Sequence, residues 1–126
     1  MKNDLNSLLI EGELVGDPVI EKDGRATCDF TIKVKRFDKD KDREGNPEPR
    51  DTSFEFRVKT YDHLAEVCAE YLTQGRRVRI VGHLDWRFGP KLYAHADHVE
   101  FKPKVEMSEK AVEIDPDRPT AVGKYA

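Results

Sequence analysis

The stretch RRVRIVGHLDWRF, Arg76 to Phe88, sets arginines and aliphatic residues in alternation. At a period of two, Arg77, Arg79, Val81, His83, Asp85 and Arg87 share one face of a strand, and Val78, Ile80, Gly82 and Leu84 share the other. A row of guanidiniums at that spacing is suited to a polyanion such as a chain of phosphates. Two further stretches present cations in the same way. In RATCDFTIKVKRF, Cys28, Phe30, Ile32 and Val34 form one face, Thr27, Asp29, Thr31, Lys33 and Lys35 the other, and Arg36 and Phe37 end the run. In TSFEFRVKTY, Phe54, Phe56 and Val58 face a core, and Glu55, Arg57, Lys59 and Tyr61 face out. The formal net charge is -3, so the distribution of charge matters more than its sum. Residues 38–51 hold six acids against four bases, which leaves a basic surface possible elsewhere.

Other chemistry-bearing groups read as structural. His95-x-Asp97-His98-x-Glu100 is rich in metal ligands, but on a strand His95 and Asp97 point one way and His98 and Glu100 the other. One ion would not collect all four, so no metal is expected. Gly45, Gly75, Gly82 and Gly89 are punctuation rather than a phosphate loop. No serine has a histidine and an acid placed by motif, and Glu11 and Glu13 read as solvent-facing acids on one strand. Neither catalysis nor a cofactor is expected. Cys28 and Cys68 fit no CxxC or finger spacing and read as buried, reduced thiols. No apolar run approaches the ~18 residues of a membrane span. The start MKNDLNSLLIEGEL alternates and carries acids, unlike a signal peptide, and a soluble cytoplasmic protein is expected.

The elements that must position these side chains follow from periodicity. The 126 residues allow one compact domain. LNSLLIEGEL puts Leu8, Ile10, Gly12 and Leu14 on one face of a first strand, which Gly16-Asp17-Pro18 breaks. Residues 25–37 and 52–61 are the second and third strands, with a solvated loop over 38–51. Asp62 is placed to cap a helix whose stripe is Leu64, Val67, Cys68, Tyr71 and Leu72, and Gly75 suits a left-handed end. Residues 76–88 and 91–101 form two last strands around Gly89-Pro90. Residues 102–126 lose periodicity, carry three prolines and balance five bases with five acids, and read as a polar extension. Five strands with one helix between the third and fourth is the order of an oligonucleotide-binding (OB) barrel: an all-β fold with one helix. Residues 1–101 are therefore expected to form the OB domain.

Three stretches carry a resemblance to a family. LNSLLIEGELVGDPVI, YDHLAEVCAEYLTQGRRVRIVGHL and ADHVEF, together with FTIKVKRF, resemble bacterial-type single-stranded DNA-binding proteins over roughly residues 5–101. The resemblance implies an OB fold, binding of single-stranded DNA with little regard to sequence, and a homotetramer, a dimer being the alternative. The first strand would sit at the subunit contact. It implies roles in DNA replication, recombination and repair, a nucleoid-associated location, and no catalysis. The chain departs from the family pattern at four places. Phe88-Gly89-Pro90-Lys91 shortens the hairpin between the last strands. Glu55 stands where a stacking Trp is usual. Phe37 comes about one residue early. The chain ends AVGKYA instead of in acids closing on Pro-Phe, so recruitment of replication and repair proteins by that route is not expected.

A DNA single strand offers phosphates and open base faces, so its site needs cations along a groove and flat rings, each stacked base contributing about 1–3 kcal/mol. The candidates are Lys33, Lys35, Arg36, Arg57, Lys59, Arg77, Arg79 and Arg87 for phosphates, and Phe37, Tyr61, Trp86, Phe88 and Tyr93 for bases. Arg79 is preferred over Trp86, with Glu55 or Asp85 as ion-pair partners across strands. Trp86 and Phe88 continue the inward parity of Leu84 and reach a ligand only where the strand has run past the barrel. Two other readings remain open: an OB-fold protein-interaction module, and an RNA-directed or replication-restart relative with weak DNA binding.

Overall fold

Alternation dictates the architecture. A strand with every second residue apolar can bury one face only, and closing the sheet on itself buries all such faces at once. The computed structural model describes residues 1–103. In chain order it has β1 (Leu8–Leu14), β2 (Val19–Glu21), β3 (Thr27–Val34), β4 (Phe37–Lys41), β5 (Pro47–Asp51), β6 (Phe54–Tyr61), α1 (Asp62–Tyr71), β7 (Arg77–Asp85) and β8 (Tyr93–Phe101). Neighbours run β1-β7-β8-β6-β3, and a β1–β3 pairing closes the ring, with Glu13 opposite Lys33 and Leu14 opposite Ile32. β6 and β8 meet in parallel at Val58–Ala94 and Lys59–His95. This is the expected five-stranded OB barrel, with its helix between the third and fourth barrel strands. β2 is a short addition at the edge of β3.

The inward faces match the periodicity. Leu14, Cys28, Phe30, Ile32, Val58, Val78, Ile80, Ala94, Val99 and Phe101 fill the barrel, and Ala65 and Cys68 from α1, with Leu72 just after it, join the same core. Each large apolar side chain buried in this way contributes about 1.5–3 kcal/mol. Cys28 and Cys68 are buried free thiols, pushed by burial up to about 11 and about 12. Thr60, buried in the core, donates its hydroxyl to the Cys28 carbonyl at 3.0 Å. At Gly82 the backbones of β7 and β8 nearly touch, since a Cβ there would lie 2.0 Å from the His95 carbonyl oxygen. Among the described residues no helix is long and apolar enough to cross a membrane.

Several expectations are corrected. Residues 38–51 are not a loop but the β4–β5 hairpin. Asp42 makes its turn, accepting from the Glu44 and Asn46 amides through one carboxylate oxygen, while Gly45 takes φ 85°. Asp62 is not the N-cap: that position is Tyr61, without a side-chain capping bond. The Asp62 carboxylate instead binds Arg25 Nε and Nη2 at 3.0 and 2.8 Å. Tyr71 is not core but 57% exposed. The helix stops at Tyr71, and Leu72 is already extended, so Leu72 turns into the barrel alone. Phe54 is exposed rather than inward, and Phe56 is half-buried, because the start of β6 extends past the barrel rim opposite Val34. Leu84 and Asp85 exchange roles for the same reason: Leu84 lies exposed at the rim, and Asp85 is 6% exposed. The expected polar extension falls, from residue 104 onward, outside the described residues.

Candidate nucleic-acid interface

The candidate cations fall on two surfaces, not one. Arg79 lies opposite Glu100 on β8, whereas Lys59 lies beside His95. Five residues of strand separate those positions, or ~17 Å. On the β1–β7–β8 side the arginines are ion-paired. Glu11 meets Arg77 at 3.5 Å and Arg79 at 3.3 Å, and Lys102 at 3.0 Å; Arg79 also reaches Glu100 at 3.7 Å. The Lys102 hydrogen bond, with help from Arg79, holds the Glu11 carboxyl below its usual range. Glu55 and Asp85 are thus not the partners of Arg79. Arg79, preferred over Trp86 by parity, sits in an ion-pair network with Glu11 of β1 and Glu100 of β8.

The second surface is the outer face of β3, β6 and the β7–β8 hairpin. Lys59 pairs with Asp29 at 3.1 Å, and Arg36 approaches Asp38 at 3.7 Å. Lys33, Lys35 and Arg57 have no carboxylate at ion-pair distance among the described residues. Arg57 is engaged differently. Its guanidinium stacks on Tyr93 at 4.5 Å, and Nη2 donates to the Phe88 carbonyl, tying the hairpin tip to β6. Arg87 grips Asp85, with Nη2 2.7 Å from Oδ2. That bond, with the Trp86 and Arg87 amides, drives the Asp85 carboxyl far below its usual range.

The rings divide in the same way. β7 ends at Asp85, so Trp86 and Phe88 leave the strand and stand 71% and 51% exposed. Phe37, at the head of β4, is 63% exposed. Tyr93, a stacking candidate by sequence, is wholly buried beneath Arg57 and offers no face to a base. Tyr61 is half-buried, with the Arg25 guanidinium over its ring at 4.6 Å and the His95 ring at 4.6 Å. Burial and the adjacent Tyr93 push its phenol up to about 12. Lys59 and Arg87 lie 5.6 and 5.8 Å from the Phe88 ring. These side chains line one open groove with Arg25, Thr27, Glu21 and Asp23.

Sequence reasoning missed two features. Arg25 precedes β3, where no periodicity marks it. His83 stands opposite His95, their rings stacked at 4.5 Å, with Asp85 alongside. Centring the hairpin turn on Gly89 would have found that pairing. His95, Asp97, His98 and Glu100 do not gather: His98 lies opposite Val81 and Glu100 pairs with Arg79.

Known proteins resemble this chain. A Thermotoga maritima protein named single-stranded DNA-binding protein is 29% identical over 123 residues, covering 87% of this chain and 84% of that protein. Single-stranded DNA-binding protein 1 of Chlorobaculum tepidum is 32% identical over 102 residues, covering 75% of this chain and 60% of that protein. Among solved structures, a chain of the Plasmodium falciparum SSB complex with ssDNA superposes with TM-score 0.64 at 23% identity, covering 82% of this chain and 99% of that one. At that identity the likeness concerns the fold. The model of the single-strand binding protein family matches residues 5–89, the whole span from before β1 to the hairpin tip, and on that match this chain belongs to the family.

Proposed function

We propose that this protein binds single-stranded DNA with little sequence preference, through the outer face of β3, β6 and the β7–β8 hairpin. The observation that carries the reading is the groove in which Arg25, Lys59 and Arg87 stand with the rings of Tyr61 and Phe88. Phosphates need the cations and base faces need the rings. The groove is open, as a continuous strand passing through requires. Lys33 and Lys35 extend the cationic path, and Phe37 and Trp86 add exposed rings. Binding is passive, with no bond made or broken. The protein is non-enzymatic and serves DNA replication, recombination and repair.

The finer features belong to the same proposal. The chain assembles with copies of itself, as a tetramer or dimer, through β1 and β7, where Leu9 and Val81 are exposed apolar residues on adjacent strands. It acts in the cytoplasm at the nucleoid, where replication and repair proteins are its potential partners. A weaker, protein-directed or RNA-directed role is the second reading, favoured by one observation: Arg77, Arg79, Arg87 and Lys59 already have carboxylate partners. Labelled oligo-dT, oligo-U and duplex DNA, titrated across a salt series, separate the two. Tight, salt-steep binding that prefers oligo-dT supports the proposal. No binding to oligo-dT at low salt refutes it, and preference for oligo-U selects the RNA reading.

A further inference from the structure

We propose that His83, Asp85 and His95 form a binding site for one divalent transition-metal ion of the zinc class. Strand register creates the site. His83 and His95 are direct partners across the β7–β8 ladder, and Asp85, two residues along β7, shares their face. One ligand atom from each lies within 4.8 Å of the others. Zinc bonds of about 2.0–2.1 Å place tetrahedral ligands ~3.4 Å apart, and the two imidazoles stack at 22° with centroids 4.5 Å apart, so closure needs the ligand atoms to approach by about an ångström and the rings to turn out of the stack until both planes meet at the ion.

Three details point to a metal ion rather than a self-contained polar cluster. Among the described residues His95 Nδ1 is buried without a hydrogen-bond partner, an unusual state for a buried polar atom. It stands 3.7 Å from Asp85 Oδ2, too far for a hydrogen bond and a fitting separation for two ligands of one ion. His83 Nδ1 faces Asp97 Oδ2 at 3.4 Å. That contact leaves Nε2 of His83 to bind and makes Asp97 the outer carboxylate that orients a metal-bound imidazole. The donor set of two imidazoles and one carboxylate, with a position left open to water, suits zinc, cobalt or nickel rather than calcium or magnesium. Arg87 competes for the same carboxylate through Nη2 and Nε. An ion on Asp85 Oδ2 therefore displaces Arg87, whose neighbour Trp86 is the chain's one tryptophan and reports the event.

The test is a titration of the untagged chain with Co²⁺ and Zn²⁺, followed by calorimetry, the visible absorption of Co²⁺ and Trp86 fluorescence. One ion per chain is expected, with a tetrahedral Co²⁺ spectrum that Zn²⁺ abolishes. His83→Gln and His95→Gln should each weaken binding at least tenfold, with folding checked by circular dichroism. His63→Gln and His98→Gln, the other two histidines, should leave it unchanged. Asp97→Asn, exposed and outside the barrel core, should weaken it about tenfold and covers the case where a ligand variant does not fold. Absence of saturable Co²⁺ or Zn²⁺ binding by the wild-type chain overturns the proposal. So does binding that survives His83→Gln and His95→Gln, or that is lost in His98→Gln.

Discussion

Gly82→Ala tests the barrel at its narrowest contact. The new methyl would lie 2.0 Å from the His95 carbonyl oxygen, 3.0 Å from its carbon and 3.1 Å from the Ala96 Cα. All three atoms are backbone, so no side chain can move aside. Restoring an ordinary contact of about 3.4 Å requires β7 and β8 to part by ~1.4 Å, which breaks the ladder between Gly82–Ala96 and His83–His95. Overpacking alone costs about 1–3 kcal/mol. With ladder hydrogen bonds lost as well, at about 1 kcal/mol each, we expect a loss of about 3 kcal/mol or more. For a domain of this size that lowers the Tm by roughly 12–24 °C. Urea unfolding at fixed protein concentration, with calorimetry alongside, measures the effect, since self-association would otherwise shift the midpoint. Gly16→Ala is the matched control. Among the described residues no atom lies within 4 Å of its added Cβ, and the substitution should be neutral or gain about 0.4–1 kcal/mol. A Gly82→Ala protein within about 1 kcal/mol of wild type would refute the close-approach argument.

Other consequences are directly measurable. Replacing Lys33 and Lys35 together by alanine should reduce the slope of log affinity against log salt for oligo-dT by about 1.4, at ~0.7 per phosphate on single strands. Replacing Arg77 and Arg79 should change that slope little, because they lie on the β1–β7–β8 side, ion-paired with Glu11 and Glu100 and away from the groove; anisotropy titrations compare the two variants. Trp86 fluorescence should be quenched by saturating oligo-dT, and an unchanged signal at saturation removes Trp86 from the interface. The Glu11 carboxyl is held below its ordinary range by Lys102 and Arg79, so it stabilises the fold at neutral pH, and that stability is lost as pH falls through its folded value. Glu11→Gln should flatten the acid limb of stability measured between about pH 5 and pH 3. With the side chain 37% exposed, solvent screening limits the effect to about 1 kcal/mol.

The sequence by itself determined the barrel. Period-two alternation in residues 5–14, 25–37, 52–61 and 76–88 is a local property of the chain, and with a last strand over 91–101, one helix stripe between the third and fourth strands leaves few ways to bury those faces. It also marked the residues able to meet a polyanion, because parity alone puts Arg57, Lys59 and Tyr61 on one side of a strand. Only the tertiary structure decided which of those residues remain free. Ion pairing depends on which strands become neighbours, so Glu11 on β1 claims Arg77 and Arg79 on β7 across a sequence separation that no periodicity reports. Exposure at a barrel rim depends on where each strand outruns the core, which brings out Phe54 and Leu84 and, through the hairpin tied down by Arg57, buries Tyr93. The joining of His83, Asp85 and His95 is of the same kind. Each is unremarkable in its own strand, and the ladder register between β7 and β8 makes them a site.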